Sequence, residues 1–151
     1  MAVHVLAVLA YKQGVCVSSA VLASSVNTNP VIVRRLLLTL QGARLVETLK
    51  GPGLGSRLSR SAERINLAEV YRAVELEEPF GLPRKRPNRA CPIGQGIRVA
   101  LEQVCKKAAR AVQQDLEETT LASLVRGITA LSQLESPPAN TWVGSNSHRK
   151  R

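Results

Sequence analysis

The pattern of apolar and polar positions at the start of the chain predicts two short helices. Apolar residues recur at helical spacing over 3–11, and Gly14 is placed to cap the end of that helix. This pattern starts as though partway along a helix, so we expect that several upstream residues are missing. A second, serine-capped helix is predicted over about 18–25, with Val21 and Leu22 facing inward.

A third helix is predicted from Asn29 or Pro30 to about Gly42. Asparagine is a favoured N-cap residue and proline is favoured in the first turn, so the Asn29-Pro30 step marks the start. Arg34 and Arg35 then lie about one turn into the helix, where a recognition helix presents side chains to the major groove. The leucines expected to form the buried stripe of this helix are Leu36, Leu37 and Leu40.

Two short strands, 45–49 and 56–60, are predicted to form a hairpin around a glycine-rich loop. Gly51, Gly53 and Gly55 let that loop turn tightly and approach a sugar–phosphate backbone without steric conflict. A polar turn, a helix with paired arginines and a hairpin, in this order, are the parts of a winged helix-turn-helix. The pattern therefore predicts a domain of this kind that binds DNA.

The rest of the predicted domain is a fourth helix, and a linker follows it. Asn66 and Glu69 have the spacing of a capping box for a helix over 67–75, which completes a domain of residues 1–78. Three prolines and a basic cluster mark 79–91 as a linker, because no single helix could cross them.

The longest segment of helical periodicity begins at Pro92 and runs to about Glu118. A short threonine-capped helix is predicted over 121–134, and the proline, serine and basic composition of 135–151 predicts a disordered tail. The predicted fold class is therefore mainly α with a small β-hairpin.

The distribution of charge supports a nucleic-acid partner. The chain has a net charge of +10. Residues 1–60 hold seven Lys or Arg and one acid, whereas residues 61–79 hold two and five and residues 92–120 hold four of each. Residues 80–91 hold four Lys or Arg and no acid, and the rest of the basic excess, apart from +3 in the tail, thus lies on the predicted reading unit rather than on the long helix that follows. Aromatic residues are only 3% of the chain, too few for a base-stacking platform, so duplex DNA is favoured over RNA.

Composition also argues against several other classes of protein. The longest nearly apolar run, residues 2–10, is too short to cross a membrane, and no signal-peptide pattern is evident. Three cysteines at irregular spacing do not make a disulfide framework, so we expect a cytoplasmic protein with no membrane partner. No arrangement of nucleophile and base, paired acids or metal ligands predicts an enzyme, and the glycine loop lacks the Lys-Ser/Thr ending of a nucleotide-binding phosphate loop.

Four segments of the chain form a specific combination. They are 26–37 (VNTNPVIVRRLL), 51–55 (GPGLG), 65–75 (INLAEVYRAVE) and 91–94 (CPIG). Together they resemble the Rrf2 family of bacterial winged-helix transcriptional regulators, and the resemblance covers roughly residues 1–125. It implies a homodimer in which long helices cross, so that 92–134 would serve dimerisation. It also implies repression, or sometimes activation, through an inverted-repeat operator.

The chain departs from the family pattern at three positions. The family wing usually reads Gly-Pro-Gly-Gly-Gly-Tyr, but Leu54 replaces its middle glycine and Ser56 its aromatic residue. Arg44 stands where a glycine usually follows the recognition helix. These departures affect the geometry of the wing and its affinity for DNA rather than the fold.

The predicted DNA contacts combine the residue pattern with the resemblance. Arg34 is expected to read base edges, because it aligns with the reading position of the family, and Arg35 to contact a phosphate or to have a structural role. Thr28 and Asn29 can donate to phosphate at the helix N-terminus. The full predicted set is Thr28, Asn29, Val31, Arg34, Arg35, Lys50, Gly53 and Arg57. The predicted dimer-interface residues are Ile97, Leu101, Val104 and Ala108.

The cysteines leave two interpretations open. Some family members resemble one another in holding an iron–sulfur cluster on three cysteines, but only Cys91 and Cys105 occur in the corresponding region, with 13 residues between them. A cluster needs about four ligands, so no cofactor is expected. Cys91 lies between a basic linker and a helix start, which favours a reactive thiolate and a redox sensor, although a packing role is the alternative.

The signal that controls the regulator stays open between chemistry at Cys91, a small ligand at the dimer cleft and a partner protein. A different class of function is also open, because winged helices can serve as protein-interaction modules that bind DNA weakly or not at all.

Overall fold

The protein is described by a computed structural model that covers residues 1–49, 51, 54–74, 82, 85, 87–88 and 90–134. Most of the predicted linker, 79–91, and all of the predicted tail, 135–151, lie outside these residues. A short 3-10 helix spans Ala62–Arg64. The helices are α1 (Ala2–Tyr11), α2 (Ser19–Val26), α3 (Pro30–Gly42), α4 (Leu67–Val74), α5 (Pro92–Glu118) and α6 (Leu121–Leu134), and the strands are β1 (Val46–Thr48) and β2 (Ser56–Leu58).

The first two helices form where they are predicted, with corrections of detail. α1 ends at Tyr11, and Gly14 lies beyond its cap in a tight turn where its φ is +82°. The Ser18 hydroxyl accepts a hydrogen bond from the Val21 amide and so caps α2. Leu22 is fully buried, as predicted, but Val21 is 40% exposed, so its predicted inward position is wrong. The two differ because neighbouring residues point about 100° apart around a helix.

The core lies between α1, α2, α3 and the hairpin, and α4 and α6 close it. On α3 the buried stripe consists of Val33, Leu37 and Leu40, at spacings of four and three. Leu36 is partly buried and packs against the core at the edge of this stripe. The largest fully buried side chains are Leu6, Leu9, Leu22, Leu40, Leu45, Ile65 and Leu121.

The capping box predicted for α4 is confirmed by two reciprocal hydrogen bonds. The Glu69 amide donates to the Asn66 side-chain oxygen at 2.9 Å, and the Asn66 amide donates to the Glu69 carboxylate at 3.1 Å. The two bonds satisfy backbone donors that the first turn of a helix otherwise leaves unpaired. The helix therefore begins at Leu67, as the sequence predicts.

The end of α5 is fastened to the base of α4. The Leu67 amide donates to the Thr119 carbonyl at 2.9 Å, and the Leu121 amide donates to the Ile65 carbonyl at 2.8 Å. These bonds bring Asn66 beside Thr120 in an antiparallel bridge. α6 then turns back and packs against α1. The last helix thus belongs to the same packed unit as the first four.

α5 differs from the other helices because every one of its side chains is at least partly exposed. Its 27 residues make a rod about 40 Å long. Across the described part of the chain, no helix is both long enough and apolar enough to cross a membrane.

Candidate nucleic-acid interface

A three-residue turn sets α2 and α3 against each other. Asn27 ends α2 in the left-handed conformation, with φ of 55°, and the Thr28 amide donates to the Ala23 carbonyl at 2.9 Å. Asn29 then caps α3, because its side-chain oxygen accepts from the Val31 amide at 2.8 Å. The turn between Val26 and Pro30 therefore has the length of a helix-turn-helix turn.

α3 presents a charged outer face opposite its buried stripe. At about 100° per residue, Arg35 lies nearly opposite Val33 and its stripe, whereas Arg34 lies about a quarter turn from it. Both arginines are exposed, and Val31 is 47% exposed beside them. The buried stripe fixes the orientation of α3, so these three side chains project away from the core. This arrangement is typical of a recognition helix.

The end of α3 is held in an unusual backbone conformation. Arg44 has a φ of +56°, a region that favours glycine, and the Leu45 amide donates to the Leu40 carbonyl at 3.0 Å. The Arg44 carbonyl accepts from the Ser59 hydroxyl, at the end of the hairpin. The conformation explains why a glycine usually stands here in the family, and the hydrogen bond from Ser59 helps hold an arginine in it.

The predicted hairpin is confirmed as an antiparallel pair of strands with three paired positions. Thr48 lies opposite Ser56, and their hydroxyl oxygens are 2.9 Å apart. The other edge of β2 pairs with Val17, because the Val17 and Ser56 amides each donate to the other residue's carbonyl at 2.9 Å. Ser56 is 1% exposed as a result.

Gly55 serves packing within the domain. A Cβ atom at this position would lie 2.3 Å from the Val17 carbonyl oxygen, so only glycine fits. Gly55 is also buried. Its predicted approach to a sugar–phosphate backbone is therefore wrong, since the close approach is to the segment that precedes α2. Gly51 differs, because it is exposed and its φ of +143° favours glycine in the loop itself.

The charge of the wing is partly neutralised by an ion pair. Arg57 on β2 lies opposite Glu47 on β1, and its guanidinium Nε donates to the Glu47 carboxylate at 2.5 Å. Each side chain is a little over 40% exposed. Arg57 therefore stands on the wing as predicted, but it shares its charge with a partner that the sequence prediction did not include.

Two predicted wing contacts, Lys50 and Gly53, lie outside the described residues.

Two exposed apolar residues near the reading surface were not predicted. Leu38, on the outer face of α3, is 69% exposed, and Leu54, in the wing loop, is 45% exposed. Leu38 has a signal in the sequence, since it follows Val31 and Arg34 at spacings of seven and four on the same face of α3.

The predicted dimer residues form an exposed stripe on α5. Leu101 is 40% exposed, Val104 is 64% exposed and Ile97 is 37% exposed, while Ala108 is half-buried. Spacings of three and four residues place all four on one side of the helix. An isolated chain would leave this apolar stripe in water.

The capped α3 with its outward arginines, the α2–α3 turn and the adjoining hairpin define a winged helix-turn-helix protein, a class that binds DNA. The Rrf2 family model, described as "Iron-dependent Transcriptional regulator", matches residues 1–127. The chain therefore belongs to the Rrf2 family of transcriptional regulators, and the resemblance predicted from the sequence is confirmed.

Individual relatives agree with this family. YwnA from Bacillus subtilis (strain 168), named as a candidate HTH-type transcriptional regulator, is 34% identical over 125 residues, which cover 83% of this chain and 92% of YwnA. A crystal structure described as a candidate DNA-binding protein is 33% identical with a TM-score of 0.63, covering 82% of this chain and 94% of that one. IscR from T. potens, 19% identical, shares the fold with a TM-score of 0.65 and covers 91% of this chain and 88% of its own.

The cysteines do not fit the iron–sulfur cluster that the family implies. Cys91 immediately precedes α5 and Cys105 lies 14 residues along it, so about 21 Å of helix separates them. Cys16 precedes α2, and the described residues contain no group of three or more potential ligands arranged to hold a metal ion. A cluster needs about four nearby ligands.

Proposed function

We propose that this regulator is a homodimer that binds an inverted-repeat operator and represses transcription by occupying the promoter. The observation that carries the proposal is the division of α3 into two faces. Val33, Leu37 and Leu40 anchor one face in the core, while Arg35 projects from the opposite side and Arg34 from about a quarter turn away, both exposed. A helix held in this way can enter the major groove without losing its packing.

Each predicted residue has a distinct role in this proposal. Arg34 reads a base edge, and a bidentate contact with guanine suits its planar guanidinium. Val31 supplies an apolar contact in the same groove. Thr28 and Asn29 contact phosphate at the N-terminus of α3, where the helix dipole favours an anion. Arg35 contacts a phosphate of the DNA backbone.

The wing contacts the DNA backbone beside the groove. Lys50 and Arg57 supply its positive charge, and Gly53 lets the loop approach closely. Arg57 supports this role from β2, where it is a little over 40% exposed. Its contact with phosphate would compete with the Glu47 ion pair.

Dimerisation through α5 sets the form of the operator. Burial of Ile97, Leu101 and Val104 against a second copy would remove the apolar stripe from water. A two-fold axis then places two recognition helices about 34–36 Å apart, so the operator is an inverted repeat with half-sites one helical turn apart. Because the target is bacterial promoter DNA, the site of action is the cytoplasm.

A salt titration on two duplexes tests the DNA-binding role. One duplex carries an operator selected from a random library, and the other has unrelated sequence. Phosphate contacts release counterions, so we expect binding to both to weaken steeply as salt rises. Binding that is absent or independent of salt would instead support a protein-interaction module, the alternative left open by the sequence.

Arg34→Ala and Arg35→Ala form a matched pair for readout. If Arg34 reads guanine, its loss should cost about 1–3 kcal/mol on the operator and much less on random DNA. Arg35→Ala and Lys50→Ala should weaken both complexes equally and reduce the salt slope by about one unit each. Equal losses for Arg34→Ala on the two duplexes would assign it to the backbone instead.

A further inference from the structure

A cleft of about 290 Å³ lies between α4 and α5, apart from the predicted DNA contacts. Its walls are mainly apolar, formed by Ala68 and Tyr71 on α4 and by Cys105, Ala109 and Leu116 on α5. Ala68 is fully buried beneath it, and the other four are partly buried. The volume is at the lower end of the range for ligand pockets, which suits a molecule of about one ring.

Three cations surround the apolar floor of the cleft. Arg72 reaches it from α4, and Lys106 and Arg110 reach it from α5. Lys106 and Arg110 are four residues apart, so they lie on the same face of the helix and repel each other. Within the described residues, none of the three forms an ion pair with an acidic side chain. An anion placed in the cleft would relieve this repulsion.

The cleft and the predicted dimer stripe occupy different sides of α5. At about 100° per residue, Cys105, Ala109 and Leu116 lie about a quarter turn from the stripe that contains Leu101 and Val104. Dimerisation through that stripe therefore does not require the cleft to be filled by the second copy.

We propose that this cleft binds a small molecule with an acid group and an apolar body, and that its binding is the input that controls the regulator. The control of operator binding by the ligand rests on the proposed function, whereas the binding of the ligand to the cleft does not. The apolar body lies against Tyr71 and Leu116, and the acid group, a carboxylate or a phosphate, pairs with Arg72, Lys106 and Arg110. Charge-assisted hydrogen bonds from these cations select the acid over a neutral molecule of the same shape.

The position of the cleft provides the link to DNA. α4 packs against both α3, which carries the proposed reading residues, and α5, which carries the proposed dimer stripe. A ligand bound between α4 and α5 therefore acts on the packing contact between the proposed DNA-reading domain and the proposed dimer helix. Any difference in cleft shape between the DNA-bound and free dimer becomes a difference in ligand affinity, and the coupling is reciprocal.

Calorimetry on the full chain tests the site directly, with benzoate and phenyl phosphate as probes and benzyl alcohol as the neutral match. Probes of this size should bind with dissociation constants of about 1 mM or below. The alcohol should bind about tenfold more weakly or not at all. The two acids distinguish a carboxylate site from a phosphate site.

Variants locate the binding. Lys106→Ala with Arg110→Ala should weaken the acid probes about tenfold or more. Lys107→Ala removes one charge from a neighbouring position that does not line the cleft, and it should leave probe binding unchanged. Ala109→Leu should block binding while keeping every charge. Failure of both acids to bind, or equal weakening by Lys107→Ala, would overturn the site.

Operator affinity, measured with and without saturating probe, tests the control. A change of about threefold or more that disappears in Ala109→Leu supports it. If the acid probe binds the cleft selectively but operator affinity does not change, the cleft is not the input that controls the regulator. If the probe-free protein fails to distinguish operator from random DNA, the proposed function fails, and the calorimetry still decides the site. Loss of DNA binding in probe-free Lys106→Ala, without probe binding to the unaltered protein, would assign these cations to DNA and overturn the site.

Discussion

Arg57 and Glu47 face each other across the two strands of the wing and form an ion pair there. Because both side chains are a little over 40% exposed, water and salt screen the pair and it adds little to the stability of the fold. Its larger effect is on the electrostatic field of the wing, where a carboxylate lies beside a proposed phosphate contact. In the proposed complex with DNA, the acid would therefore moderate the affinity of the wing.

Glu47→Gln should strengthen binding to operator and random duplex alike, by about threefold to tenfold at low salt, because it frees the Arg57 guanidinium for phosphate. The salt slope should become steeper by up to about one unit. Fluorescence anisotropy at several salt concentrations measures both quantities. In an Arg57→Ala background the same change should produce a smaller gain, and an equal gain there would show that the two side chains act independently.

The dimer proposal predicts that charges in the α5 stripe separate the subunits. Leu101→Glu with Val104→Glu should give a monomer or an aggregate in analytical ultracentrifugation, since two carboxylates would be buried without partners. Gln103→Glu with Gln114→Glu adds the same charge on the other side of α5 and should remain dimeric. A monomeric unaltered protein at micromolar concentration would contradict the proposed architecture.

The backbone of Arg44 predicts an unusual gain in stability from glycine. Arg44→Gly should raise the free energy of unfolding by up to about 1 kcal/mol, because relief of left-handed strain exceeds the added entropy of the unfolded chain. Urea denaturation measures the change. Arg44→Ala removes the same charge but keeps the strained φ, and it should not show the gain.

Gly55→Ala should be strongly destabilising, by about 2 kcal/mol or more, because the new Cβ would meet the Val17 carbonyl oxygen at 2.3 Å. The damage should appear in thermal denaturation and in weaker DNA binding, since the wing would shift. Gly96→Ala makes the same chemical change in α5, where the added group has no described atom within 4 Å apart from its chain neighbours and the backbone of its own helix. This variant should be neutral or slightly more stable.

The cysteines should differ in reactivity according to exposure. Cys91 is exposed at the start of α5, whereas Cys16 and Cys105 are partly buried. Iodoacetamide should therefore modify Cys91 first, as peptide mass mapping can follow over time. A redox-sensor role for Cys91 further requires that oxidation changes the operator affinity of the unaltered protein. The same oxidation should leave the operator affinity of Cys91→Ser unchanged. Faster labelling of Cys16 would remove the basis for that role.

Local chemistry made most of the elements predictable. Asn29 and Asn66 each supply a side-chain cap, so the start of α3 and of α4 could be placed to within a residue. Pro92 and Glu118 were predicted as the ends of α5, because a first-turn proline and a sustained helical period mark such a helix without reference to the rest of the fold.

Features that depend on contacts distant in sequence could not be predicted in the same way. Gly55 was predicted to help the loop approach DNA. Its actual packing contact, Val17, could not be inferred because Val17 lies 38 positions earlier in the sequence. The Glu47–Arg57 pair depends on strand register, which a short hairpin with a long loop does not reveal. The inward position predicted for Val21 was wrong for another reason, since Val21 lies at the edge of an apolar stripe where tertiary packing decides burial.

One hydrogen bond, from the Leu67 amide to the Thr119 carbonyl, fixes the end of α5 to the start of α4. With a rod of about 40 Å attached there, a tilt of about 5° about this point would carry the far end at Pro92 through about 3.5 Å. That distance is close to the rise of one base step along a DNA strand, about 3.4 Å. In the proposed dimer, a change in packing that is too small to disturb the core could therefore be amplified along α5. It would alter the spacing between the two recognition helices by a full base step.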